Sequence, residues 1–130
     1  MTDLQILESY RTTTLEMIAI REQMARTGLT GSPDGIAVQA YDAPRHTHDR
    51  IAAAMQTLDG LDAALQQRMH TLTEIVVRFE DILARVGSMH AVVLRRYYGL
   101  GETDAQVGAA LGYSERRINQ LRNNAIAELL

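Results

Sequence analysis

Between Ser114 and Asn124 the chain reads SERRINQLRNN, with Arg116, Gln120 and Asn123 at steps of four and three and Glu115, Arg117, Asn119 and Asn124 beside them. On a helix turning about 100° per residue, that spacing gathers Arg116, Gln120 and Asn123 on one side. Ile118, Leu121, Ala125 and Leu129 fall on the other. The polar residue types are those that pair with base edges in a DNA major groove: arginine brings two donors to guanine, and asparagine or glutamine brings a donor and an acceptor to adenine. Arg117 lies off to the side, nearer the position of a phosphate strand. Ser114 suits the N-cap.

No other constellation carries chemistry. The chain has no cysteine, which removes disulfides, thiolate zinc sites and a cysteine nucleophile. His46 and His48 stand two apart in RHTHD, not at the i, i+4 spacing of a helical zinc site, and His70 and His90 stand alone as expected solvent-facing residues. The glycines at 28, 31 and 35 are not followed by the Gly-Lys-Ser/Thr of a phosphate loop. With no Ser/His/Asp arrangement, the expectation is a protein that is not an enzyme and needs neither metal nor cofactor. The six methionines lie mostly on helical stripes, where core packing accounts for them.

The elements that must position the reading face are short. Thr103 and Gln106 have the spacing of a capping box at the start of a helix that buries Val107 and Leu111. Gly112 follows where a left-handed residue ends a helix most cheaply, and small Gly108 sits where two helices would cross. The result is a helix-turn-helix, with the second helix as the reader. Upstream, Ser88 is read as the cap of a helix to Tyr98, ended by Gly99, with Met89, Val92, Val93 and Tyr97 available for burial. These three helices make a trihelical unit over 88–130, close to the lower size limit for unsupported folding.

Support is expected from the rest of the chain. Residues 3–26 read as a first helix with Leu7, Tyr10, Thr14, Met17 and Met24 in stripe, and Arg21 interrupting it. A flexible linker is expected over 27–46, where Gly28, Gly31, Pro33, Gly35 and Pro44 exclude a continuous helix and Ile36, Val38 and Tyr41 alternate. From Thr47, a plausible N-cap, to about Gly87, apolar residues repeat at 4,3 spacing from Ile51 through Met55, Leu58, Leu65, Met69, Leu72, Val76, Phe79 and Leu83 to Val86, with Asp62 the polar exception. Gly60 marks the expected bend or close crossing. The first helix folds back antiparallel on the early part of this one in this reading, and the seam from Ile51 to Val86 joins a second copy into a homo-oligomer. The expected fold is all-α: a helical hairpin and coiled coil over 1–87, then the helix-turn-helix domain over 88–130.

Charge is consistent with a localised site. The net charge of −3 argues against a protein that coats nucleic acid indiscriminately. Residues 1–87 hold eight Arg against twelve acids, while residues 88–130 hold five Arg against four. All thirteen basic residues are arginine. No apolar run approaches the about 20 residues of a membrane span, so a cytoplasmic protein without a membrane partner is expected.

The segment VLRRYYGLGETDAQVGAALGYSERRINQLRNNAIAELL resembles region four of bacterial sigma factors, which reads the promoter −35 element. The matching features are a Leu-Arg-x-Tyr helix ending in Gly-Leu-Gly, a scaffold helix ending in Leu-Gly, then Ser-x-x-Arg-Ile-x-Gln-Leu and a closing Ala-Ile-x-x-Leu. The whole layout is similar to small phage sigma-like regulators of the ArpU and RinA type. That resemblance implies that Ser114 and Arg117 hold phosphates while Glu115, Arg116, Asn119 and Gln120 face base edges. It implies a sequence-specific transcriptional regulator in a bacterial host cell, acting on double-stranded DNA with RNA polymerase as a further partner. Glu115 precedes Arg116 where sigma factors place the basic residue first, so their promoter preference does not carry over. Two alternatives use similar parts: a DNA-packaging subunit of the small-terminase kind, and an interaction module that grips RNA polymerase.

Overall fold

A computed structural model describes residues 1–27 and 44–130, and every regular element among them is a helix. In chain order these are α1 (Asp3–Thr27), α2 (Pro44–Ala84), α3 (Ser88–Leu94), α4 (Asp104–Leu111) and α5 (Glu115–Leu129). The all-α class is as the sequence leads one to expect. Most of the expected linker, with Ile36, Val38 and Tyr41, lies outside the described residues. Its last part does not behave as linker: α2 begins at Pro44, ahead of the expected Thr47 cap. Proline is at ease in a first helical turn, where its missing N–H has no intrahelical acceptor to lose.

The described chain forms two compact units, Met1–Leu15 with His70–Leu130, and Glu16–Met69. Packing therefore does not divide at 87/88. In the first unit, Ile75, Phe79, Ile82 and Leu83 make one helical face of α2, and Ile6, Leu7, Leu94, Tyr98 and Ala125 close over it in a single cluster. Tyr10 stacks on Phe79 with ring centroids 4.0 Å apart, and Asp3 meets Arg85 at 2.8 Å. These pairings run antiparallel, but they set the start of α1 against the end of α2 rather than its early part. Phe79 and Leu83, expected in a seam between copies, are instead 1% and 4% exposed in this unit's own core. The short C-terminal helices need that cover, and α2 provides it.

In the second unit, Arg68 pairs with Glu16 and Met17 is buried, while Met55 and Met69 remain exposed. Gly60 lies in unbroken helix, and a Cβ added there would meet nothing within 4 Å. Among the described residues it marks no close crossing. Asp62 is exposed in the single chain. A strict seven-residue repeat drifts by about 20° per heptad around a straight helix, so the apolar seam read from sequence need not stay on one face.

α3 lies between two cores. Leu94 and Tyr98 join the cluster on α2, and Val93 joins Val107, Ile118 and Leu121 of the helix-turn-helix. Met89 and Val92, expected to be buried, are exposed. Apolar residues on several sides of this helix offer overlapping stripes, and periodicity cannot choose among them. Its N-cap is Gly87, without a side-chain hydrogen bond, so Ser88 is the first residue inside and not the cap. His90 is not a free surface residue, because its Nδ1 sits 2.9 Å from Glu128 Oε1. After Leu94 the helix widens into one π turn, Arg95–Gly99, with Leu100 N–H donating to Arg95 O at 3.0 Å.

Candidate nucleic-acid interface

α5 is held in place by its turn. Thr103 Oγ1 accepts from Gln106 N–H at 3.2 Å and Gln106 Oε1 accepts from Thr103 N–H at 2.8 Å, closing the expected capping box. At the far end of α4, Gly112 adopts φ 79° and ψ 29°, and the Gly108 carbonyl accepts from both Gly112 and Tyr113 at 2.8 and 2.9 Å. A left-handed residue there satisfies carbonyls that a helix end otherwise leaves open. Ser114 then caps α5, its Oγ accepting from Arg117 N–H at 3.1 Å. Gly108 is buried directly under this turn.

α5 divides as its spacing requires. Ile118 and Ala125 are wholly buried and Leu121 nearly so. Ser114, Glu115, Arg116, Arg117, Asn119, Gln120 and Asn123 are all exposed, so every sequence-assigned contact residue lies on the solvent side. The arginines of residues 88–130 separate into two kinds. Arg95 forks onto Glu80 at 2.7 and 2.8 Å, Arg96 meets Glu102 at 3.1 Å, and Arg122 holds Asp104 through Nε at 3.2 Å and Nη2 at 2.8 Å. Among the described residues, the Arg116 and Arg117 guanidiniums have no such partner. Set against known families, curated proteins and solved structures, the chain matches none.

Two residues that matter to this surface are not apparent as contact residues. Arg122 stays out of solvent, its guanidinium 4.1 Å from the Tyr97 ring centroid. Arg11 of α1 lies 3.8 Å from the same centroid, so two cations share one ring. Arg11 Nη1 also donates to the Tyr97 carbonyl and, at 2.8 Å, to that of Glu102. It thereby closes the carbonyl end of the π turn and holds the loop that leads into Thr103. Arg122 had a local signal, since it lies four residues beyond Ile118 at the edge of the buried stripe. Arg11 had none, because its partners are 86 and 91 residues away.

The Asp104–Arg122 pair makes acid a probe of the motif. Hydrogen bonding from Arg122 holds the Asp104 carboxyl below the ordinary aspartate range, against the opposing effect of burial, and Asn119 lowers it further. A carboxyl that binds its proton less tightly when folded contributes stability above the unfolded pKa of about 3.9, and that stability drains as pH falls through the lower folded value. Thermal melts from about pH 6 to about pH 3 are expected to fall along this limb, and Asp104→Asn is expected to flatten it at the cost of a lower melting point at neutral pH.

Proposed function

We propose that this chain is a sequence-specific DNA-binding protein that lays α5 in the major groove and regulates transcription. The observation that carries the reading is the pair of unpartnered arginines, Arg116 and Arg117, on the exposed face of a helix whose other face is buried. Elsewhere in residues 88–130 each arginine is matched to a carboxylate. Two cations left free beside Gln120 and Asn123 fit a ligand that brings both phosphates and base edges. The resemblance to sigma region four supports a finer version: a promoter-reading regulator of phage or prophage origin working in the bacterial cytoplasm beside RNA polymerase.

The two arginines are expected to fail differently. Arg116→Ala is expected to cost about 1–3 kcal/mol on the preferred site and to relax preference there, with little loss on random DNA. Arg117→Ala is expected to weaken both DNAs alike and to reduce the salt slope by about one. Titrations of both variants on both DNAs at several salt concentrations separate the roles. Equal losses from Arg116→Ala on the two DNAs, or no effect of either substitution, would remove the reading.

Self-association is a second part of the proposal, confined to the part of α2 before Ile75. Met55 is 54% and Met69 43% exposed there, while the apolar face from Ile75 onward is already covered. A symmetric dimer through this stretch carries two copies of α5, which suits an operator built of two half-sites. Light scattering is expected to give twice the chain mass at about ten times the operator-binding concentration; a monomer there confines the protein to single sites.

A further inference from the structure

Asp104 at the start of α4 and Asn119 and Asn123 of α5 form a chain whose polarity is set by chemistry. Asp104, held ionised by Arg122, can only accept hydrogen bonds. The group of Asn119 that faces it, 3.4 Å away, is therefore the amide NH2 and not the carbonyl. This settles a choice that amide shape alone leaves open. With its nitrogen turned to Asp104, Asn119 presents Oδ1 to the next turn, where it accepts from Asn123 Nδ2 at 3.2 Å. Asn123 is fixed in turn: one N–H is spent on Asn119, and its Oδ1 and second N–H remain for a ligand.

We propose that Asn123 is a specificity-determining residue that selects a base bearing an exocyclic amine, adenine or cytosine, over guanine and thymine, and that Asn119 is the positioning residue that sets its polarity. The inference rests on the DNA-binding reading above. In the major groove adenine offers its N6 amine and N7, and cytosine its N4 amine, whereas guanine and thymine place a carbonyl oxygen in the corresponding position. An outward Oδ1 accepts from the amine and meets the carbonyl as acceptor against acceptor. Adenine satisfies Asn123 fully, because the second N–H reaches N7. Asn119 itself, with its nitrogen turned to Asp104 and its oxygen to Asn123, is removed from direct reading.

Selection from random duplexes tests both halves, using the full chain as wild type, Asn119→Ala, Asn123→Ala and the double variant. The wild type is expected to enrich a motif with adenine or cytosine at one position by about tenfold over guanine and thymine. Asn123→Ala is expected to abolish that preference while the rest of the motif persists. Asn119→Ala, which frees Asn123 to turn over, is expected to bring the amine-to-carbonyl ratio to within about twofold and to add nothing in the Asn123→Ala background. Loss of the whole motif in either single variant, an unchanged ratio in Asn119→Ala, or guanine or thymine at the affected position would overturn the proposal while leaving DNA reading in place. Failure of the wild type to enrich any motif would overturn both together.

Discussion

Replacing Ile118 with aspartate is expected to unfold the helix-turn-helix, whereas replacing Glu115, one turn away on the same helix, with alanine is expected to leave it folded. Ile118 is fully buried with Val93, Val107 and Leu121, the cluster that joins α3, α4 and α5. A carboxylate there loses the apolar contacts of isoleucine and finds no cation, since the nearby arginine on α5, Arg122, is already engaged by Asp104. Breaking such a core costs about 3–5 kcal/mol, a large share of the stability of a small domain. Glu115 is exposed in the first turn, and its loss forfeits a dipole interaction worth under about 1 kcal/mol. Thermal and denaturant melts of the two variants read the difference directly. Similar melting for both would mean that the inward face of α5 is misassigned.

Gly108→Ala and Gly60→Ala are expected to change stability in opposite directions, although both glycines lie inside helices. In open helix, alanine gains about 1 kcal/mol over glycine. Gly60 is such a place, with nothing within 4 Å of an added Cβ, and a stabilisation of about 0.5–1 kcal/mol is expected. At Gly108 the added Cβ would fall 2.4 Å from the Tyr113 carbonyl oxygen. That oxygen is backbone, and Tyr113 is itself tied to Gly108 by its N–H, so the turn cannot open without losing the bonds that close α4. The expected result is a net loss of about 1–3 kcal/mol, with Gly108→Val worse. Chemical denaturation midpoints measure both substitutions, and a stabilised Gly108→Ala would refute the close packing of the turn.

These contrasts separate what the sequence carries locally from what depends on distant partners. Thr103 with Gln106, Gly112, Ser114 and the Ile118 stripe were readable because each signal acts within one or two turns of its own position. The exposed positions of Ser114, Glu115, Arg116, Arg117, Asn119, Gln120 and Asn123 follow from the same spacing. What could not be read depended on distant partners. Phe79 and Leu83 carry the same heptad signature whether a second copy or the chain's own C-terminal helices cover them. Ser88 and Gly87 are both acceptable caps by residue type, and the structure uses the glycine. Arg11 looks like any helical arginine until Tyr97 is brought beside it. Asn119 carries no sign in the sequence that its amide lies 3.4 Å from Asp104, fifteen residues away.

The first compact unit takes Met1–Leu15 from one end of the chain and His70–Leu130 from the other. During synthesis, at about 5–20 residues per second, Ile6, Leu7 and Tyr10 leave the ribosome several seconds before Leu94, Tyr98 and Ala125 exist to receive them. The core over Phe79 closes only when segments far apart in the chain, Ile6 and Leu7 on one side and Leu94, Tyr98 and Ala125 on the other, are both present. Closing the intervening segment adds an entropic cost that grows only slowly with its length. In synthesis this core is complete only once α5 has been made.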